Sequence, residues 1–185
     1  MNLLRFSAVL IAGSLLFGCA SPAQVENMKI DDSVNMTFDE KLTNAIAVNQ
    51  VDGGEETNPL WTSEIGNAEF ESALKHSLQL LTLIAKDGQP EYELSAQLME
   101  VDQPSFGLDM EVTSSIRYVL IEKSSQDVVF DEVIVAPYTA TFGDAFSGVE
   151  RLRMANEGSA KSNITHFLEK LTGLNIDKSN VQLVN

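Results

Sequence analysis

Cys19 is the single cysteine of this 185-residue chain. A lone thiol can act as a nucleophile, as a metal ligand, as half of an intermolecular disulfide or as an acceptor of lipid. The residues around it decide which. A short head with one positive charge, Met1-Asn2-Leu3-Leu4-Arg5, leads into Phe6 to Phe17, almost wholly apolar or small, and then Gly18. A basic start, an apolar stretch and a small residue before the cut make residues 1–18 a secretory signal peptide. The apolar run is about 12 residues against the roughly 20 needed to span a bilayer, which argues against an uncleaved anchor.

The remaining chemistry-bearing side chains are sparse. No cluster of Cys, His or carboxylates surrounds His76 or His166 at zinc spacing, and both read as helix-surface histidines. The chain has no Gly-x-Ser-x-Gly elbow, no phosphate-cradling glycine loop and no calcium-loop pattern. Carboxylates are plentiful, among them Asp102, Asp109, Glu111, Asp131 and Glu132. Paired acids can hydrolyse glycosides, but such a cleft is expected to be rich in aromatics. This chain has one Trp and three Tyr, and the acids alternate with apolar residues as an outward strand face would. The reading is of a protein that is not an enzyme, with no cofactor and no metal.

Leu16-Phe17-Gly18-Cys19 resembles the bacterial lipobox, departing from its favoured pattern at Phe17. The resemblance implies diacylglyceryl and N-acyl (palmitate-type) lipid on Cys19, which becomes the first mature residue and leaves no free thiol. Each buried CH₂ adds ~0.8 kcal/mol and two anchoring signals already hold stably, so release from the membrane would be negligible. Ala20 stands where an aspartate favours inner-membrane retention in enteric-type lipoproteins. The implied address is the outer membrane, with the domain facing the periplasm.

The chain carries 12 Lys+Arg and 27 Asp+Glu, a formal net charge of −15. A field of that sign repels phosphate backbones and excludes the nucleic-acid-binding class. It also leaves membrane attachment to the lipid rather than to a polybasic surface. The acids are scattered, as solvated faces are.

The elements that would position these residues read as follows. Residues 19–41 are polar and without period, a flexible tether of roughly 25 Å, with Met28, Ile30, Met36 and Phe38 suggesting that its later part lies against the domain. A single α+β domain fills 42–185. Its first strand runs through Ala45 to Val51 and stops at Asp52-Gly53-Gly54. A helix capped by Asn67 presents Phe70, Ala73, Leu74, Ser77, Leu78 and Leu81, and ends before Asp87-Gly88-Gln89-Pro90. Tyr92, Leu94, Ala96 and Leu98 alternate with polar residues in a half-wet strand. After the turn Pro104-Ser105-Phe106-Gly107, a long strand covers about Leu108 to Ile121. Another runs from Val128 to Ala136, stopped by Pro137. A last helix spans about Val149 to Leu171, small in the middle of its buried face and large toward its end, with Gly173 after it. The tail from Asn175 offers an edge strand or a loose end. The fold class is therefore a two-layer α+β sandwich, about four to five mostly antiparallel strands with two helices packed on one face.

Two segments could meet a partner. In Asn58-Pro59-Leu60-Trp61 the Trp61 ring is either an interface anchor or, with Leu60, a cap on the core. In Thr139 to Gly148, Phe142 and Phe146 either stand exposed or fold over the sheet edge.

Glu69-Phe70-Glu71-Ser72-Ala73-Leu74-Lys75-His76-Ser77-Leu78, then Tyr92-Glu93-Leu94-Ser95-Ala96, then Asn163-Ile164-Thr165-His166-Phe167-Leu168 complete a pattern over roughly Ala45 to Leu171. With the lipobox, it is similar to small outer-membrane lipoproteins built on an anticodon-binding-domain-like α/β sandwich. Those include accessory proteins of lipopolysaccharide assembly, polysaccharide or curli secretion, and ABC-type transport. The resemblance transfers only the lipid-bearing Cys19. It implies an assembly, scaffold or transport accessory that binds an envelope protein or glycolipid. The other readings are an envelope hydrolase working through its acids, and a structural lipoprotein that self-assembles as a homo-oligomer through an edge strand.

Overall fold

The computed structural model describes residues 20–60, 62–86 and 88–176. Residues 1–19, with the expected signal peptide and Cys19, and Trp61, Asp87 and the tail after Ile176 lie outside the described residues. Four strands form one sheet in the order β1-β2-β3-β4: β1 (Ile46–Asp52), β2 (Tyr92–Asp102), β3 (Met110–Glu122) and β4 (Val128–Ala140). β1 pairs with β2 in parallel, whereas β2–β3 and β3–β4 are antiparallel. The parallel pair requires a crossover, and α2 (Asn67–Leu80) supplies it. α3 (Gly148–Thr172) closes the domain. The α+β sandwich with both long helices on one sheet face is the architecture expected.

The layers meet through the alternating side chains. Tyr92, Leu94, Ala96 and Leu98 of β2 and Ile116, Tyr118 and Leu120 of β3 are buried together with Phe70, Leu74 and Leu78 of α2 and Ile164, Phe167 and Leu168 of α3. Phe167 stacks on Tyr118 at 4.1 Å between ring centroids and meets Phe130 edge-on. The small middle of α3 lets the helix lie close: a Cβ on Gly158 would stand 2.3 Å from the Tyr138 ring. Close approach also brings polar atoms of helix and sheet together. Asn163 donates from Nδ2 to the carbonyls of Ser114 and Ile134, and its Oδ1 accepts from the Tyr118 hydroxyl. Ser159 donates to Ala136 O at 2.8 Å.

Three expectations change. The flexible tether over 19–41 is, from Ala20 onward, part of the domain, with Met28, Ile30, Met36 and Phe38 against it as their sequence suggested. Its short α1 (Val25–Met28) lies on α3, and Ala23, Met28 and Ile30 are buried in the main core. The polar residues between them make long-range contacts: Gln24 N–H and Asn27 Nδ2 donate to the Glu157 carboxylate at 2.9 and 2.8 Å, and Ile30 N–H donates to Ser77 Oγ. Second, β4 does not stop at Pro137 but continues to Ala140. β4 is an edge strand, so the missing proline N–H costs no ladder bond on its open side. Third, α2 is capped by Gly66 and ends at Leu80, ahead of a left-handed Thr82. Asn67 Oδ1 instead accepts from Gly54 N–H, fastening the loop after β1 to the helix start.

Candidate functional site

Strand directions bring four chain segments to one end of the sandwich. β1 and β2 finish there, β3 starts there, and β4 leads there into α3. The segments are the 53–66 connection, the 103–109 loop, the 141–147 loop and Ala20. Their mutual bonds are specific. Gln103 Nε2 donates to Glu64 Oε2 at 2.6 Å, and Asn156 Nδ2 of α3 donates to Ser63 O at 2.7 Å. Ala20 N–H donates to Pro59 O at 2.9 Å, Ala23 N–H to Glu64 O, and Ser63 Oγ to Ser21 O.

The 103–109 and 141–147 loops are held by one cation. Arg151, on the first turn of α3 and only 4% exposed, donates from Nη1 to the carbonyls of Ala145 and Phe146 at 2.7 and 2.9 Å. Its Nη2 reaches Gly107 O across the gap at 3.4 Å, and its guanidinium carbon stands 5.2 Å from the centre of the Phe142 ring, within cation–π range. Asp109 completes the bracket by accepting Phe142 N–H at 2.8 Å. Asp144 folds back on Thr141, and those hydrogen bonds, the side-chain one foremost, hold its carboxyl below the ordinary aspartate range. Below the loops, Met110, Val112, Ala140, Leu152 and Ala155 already fill a small second core. The loop side chains therefore point outward.

Among the described residues, the four most exposed large apolar side chains all stand at this end: Phe146 (92%), Phe106 (87%), Leu60 (75%) and Leu108 (72%). Phe142 is half exposed and Pro59 is exposed. Of the residues singled out in sequence, Pro59, Leu60, Phe142 and Phe146 thus share one end, and neither Leu60 nor Phe146 folds over the core. Phe106, Leu108 and Arg151 were not singled out. Phe106 stands within a turn sequence, and Arg151 adjoins Leu152 on the buried side of a helix. A large apolar residue inside a turn and a cation beside an apolar face are the signals that could have found them.

The acids singled out in the sequence do not share one cleft. Asp131 pairs with Arg117 at 2.6 Å, and Glu132 with Lys170 at 3.0 Å. Glu111 accepts from Thr139 Oγ1. In the ladder Asp102 is level with Thr113 and Asp131 with Val119, which is about 20 Å along the strand. A groove of about 540 Å³ beside the loop end is lined by Glu55, Glu64, Glu100, Asp102 and Gln103 over Leu98. His76 and His166 are exposed on their helices, and no group of three or more His, Cys, Asp or Glu among the described residues could hold a metal ion. No helix among the described residues is long and apolar enough to cross a membrane.

Neither a protein-family model nor a curated protein matches the sequence. Solved structures do match in three dimensions. The fold is shared with a candidate lipoprotein. That protein, from Caulobacter crescentus CB15, is 14% identical with a TM-score of 0.50, over 70% of this chain and 89% of its own. A DUF330 protein from Xanthomonas campestris is also 14% identical with a TM-score of 0.51, over 76% of this chain and 93% of its own. A PelC dodecamer from Paraburkholderia phytofirmans is a looser match, 18% identical with a TM-score of 0.41, over 70% of this chain and 94% of its own.

Proposed function

We propose that the chain is a non-enzymatic, lipid-anchored lipoprotein of the outer membrane, facing the periplasm, that serves as an assembly, scaffold or transport accessory by binding an envelope protein or glycolipid. The observation that carries the reading is where Ala20 is held. Ala20, one residue after the only cysteine, is already fixed to Pro59 at the end where the apolar side chains gather. A fold shared with a candidate lipoprotein supports it. Anchoring confines the domain to one membrane surface and raises its effective concentration there, so modest contacts suffice to hold a partner.

Two measurements test this. The mass of the mature amino-terminal peptide should include the acyl groups on Cys19, and Cys19→Ala should release the protein from the membrane fraction. Proximity cross-linking in intact cells should return components of one envelope machine with the native chain and lose them with Cys19→Ala. An unlipidated mature chain, or a partner set indifferent to the anchor, refutes the reading.

The self-assembly alternative has a specific feature in its favour and one against. β4 is a 13-residue edge with Val133 and Val135 exposed. Asp131, Glu132 and Pro137 interrupt it, which is how edges are kept from pairing with one another.

A further inference from the structure

We infer that the loop end of the sandwich lies directly on the lipid bilayer, with Leu60, Phe106, Leu108, Phe142 and Phe146 seated in the head-group region. The inference rests on the lipid-anchored reading above and goes beyond it, because it fixes how the domain is oriented.

One peptide unit, about 3.8 Å between Cα atoms, separates Ala20 from a residue carrying acyl chains. Ala20 does not begin a free linker. Its N–H is bonded to Pro59 O, Ser21 O accepts from Ser63 Oγ, and Ala23 N–H is bonded to Glu64 O. The lipid thus leaves the domain at the loop end and cannot be paid out by some 20 residues of slack. With the anchor in the membrane, the end bearing the four most exposed apolar side chains faces the membrane. The 103–109 and 141–147 loops that carry Phe106, Leu108, Phe142 and Phe146 are also held in place. Arg151 and Asp109 bind the 103–109 and 141–147 loops to each other, and the filled pocket beneath gives the phenylalanines nowhere else to go.

Charge points the same way. Asp109 and Asp144 are engaged within the loops and Arg151 is buried; the exposed charge at this end is the carboxylates of Glu55, Glu56 and the adjoining groove, with no cationic patch. A zwitterionic surface suits it, and added anionic lipid should not strengthen seating. The protein partner is then left with the open sheet face and the β4 edge.

The full chain, purified as the lipoprotein, should be placed in phosphatidylcholine vesicles doped with a lipid spin-labelled near the head group. With Cys19 acylated, a cysteine introduced elsewhere takes an environment-sensitive fluorophore alone. Gly143→Cys puts it at the loop end, where a Cβ meets nothing closer than 3.7 Å. Ser124→Cys puts it in the exposed hairpin at the opposite end. The expected result is blue-shifted emission and several-fold stronger lipid quenching at 143 than at 124. Adding Phe106→Ser and Phe146→Ser should drop quenching at 143 to the level at 124 while the protein still sediments with the vesicles. Equal, weak quenching at both sites in a chain whose mass shows the acyl groups would overturn the orientation and leave the anchor standing. So would a blue shift at 143 without lipid quenching, since a protein or a second copy would then cover that end. A mature chain without acyl groups removes the anchor reading, and this inference with it.

Discussion

Glu157 is the residue to perturb if the amino-terminal segment is built into the domain. Its carboxylate is buried on α3 and accepts from Gln24 N–H, Asn27 Nδ2 and Arg153 Nη1. Glu157→Ala removes both bonds to the segment. A hydrogen bond to a charged group contributes about 1.5–3 kcal/mol net, so the segment loses about 3–6 kcal/mol. What remains is the burial of Met28 and Ile30, about 1.5–3 kcal/mol each, with Ile30 N–H on Ser77 Oγ and Lys161 on Asp31. Those contacts still oppose the cost of ordering about ten residues, roughly 1–2 kcal/mol apiece. Local opening should therefore become frequent while the sheet persists. The assay is native-state hydrogen exchange at the amides of Ala23, Asn27, Lys29 and Ile30, all bonded in the native fold. At 1.36 kcal/mol per decade, their exchange should quicken by about a hundred- to ten-thousand-fold. Amides of β2 and β3 should change far less. Glu157→Gln keeps one acceptor oxygen and should fall between. Unchanged protection at all four amides in a folded Glu157→Ala protein would show that Glu157 does not hold the segment.

Asn163→Leu strands the buried Tyr118 hydroxyl and two sheet carbonyls, and should cost about 2–5 kcal/mol in urea unfolding. Tyr118→Phe added to it should recover part of that, and a loss under about 1 kcal/mol would sink the argument. Gly53 has φ +79°, and a Cβ there would lie 2.1 Å from Leu98 O, so Gly53→Ala should destabilise by more than about 2 kcal/mol; an unchanged melting temperature would contradict the geometry. The hydrogen bond from Arg117 holds the Asp131 carboxyl below its ordinary value. Its contribution is therefore present above the unfolded-state value of about 3.9 and lost as pH falls through the folded one. Asp131→Asn should cost under about 1 kcal/mol at neutral pH, since the pair is half exposed, and the gap in melting temperature should close in acid. A gap that widens in acid would reverse the sign of the argument.

Much of the sandwich is legible because its signals are local. The two-residue alternation of Tyr92, Leu94, Ala96 and Leu98 needs no partner to be read, and the small-to-large face of α3 announces close packing by itself. What escapes is whatever depends on distant residues. Met28 and Ile30 hint at contact with the domain, but they and Ala23 follow no period, because the chain there threads over a surface made by α2 and α3 and repeats nothing of its own. Pro137 reads as a stop until β4 is known to be an edge. At the loop end, Phe146 is conspicuous between Gly143 and Gly148, and Phe142 just before Gly143. Their kinship with Phe106 and Leu108 appears only when antiparallel pairing brings the two loops level, and Arg151 acquires its role only then.

The contacts of the amino-terminal segment also set an order in time. Gln24 and Asn27 reach Glu157 across sequence separations of 133 and 130 residues, and such distant pairings close late. In a chain exported amino terminus first, α3 is the last described element to emerge. The groove that receives residues 20–31 does not exist until nearly the whole chain has crossed. Until then residues 20–31 lack the surface they dock on. On the lipid-anchored reading, acylation and cleavage at Cys19 therefore precede closure of the fold over residues 20–31.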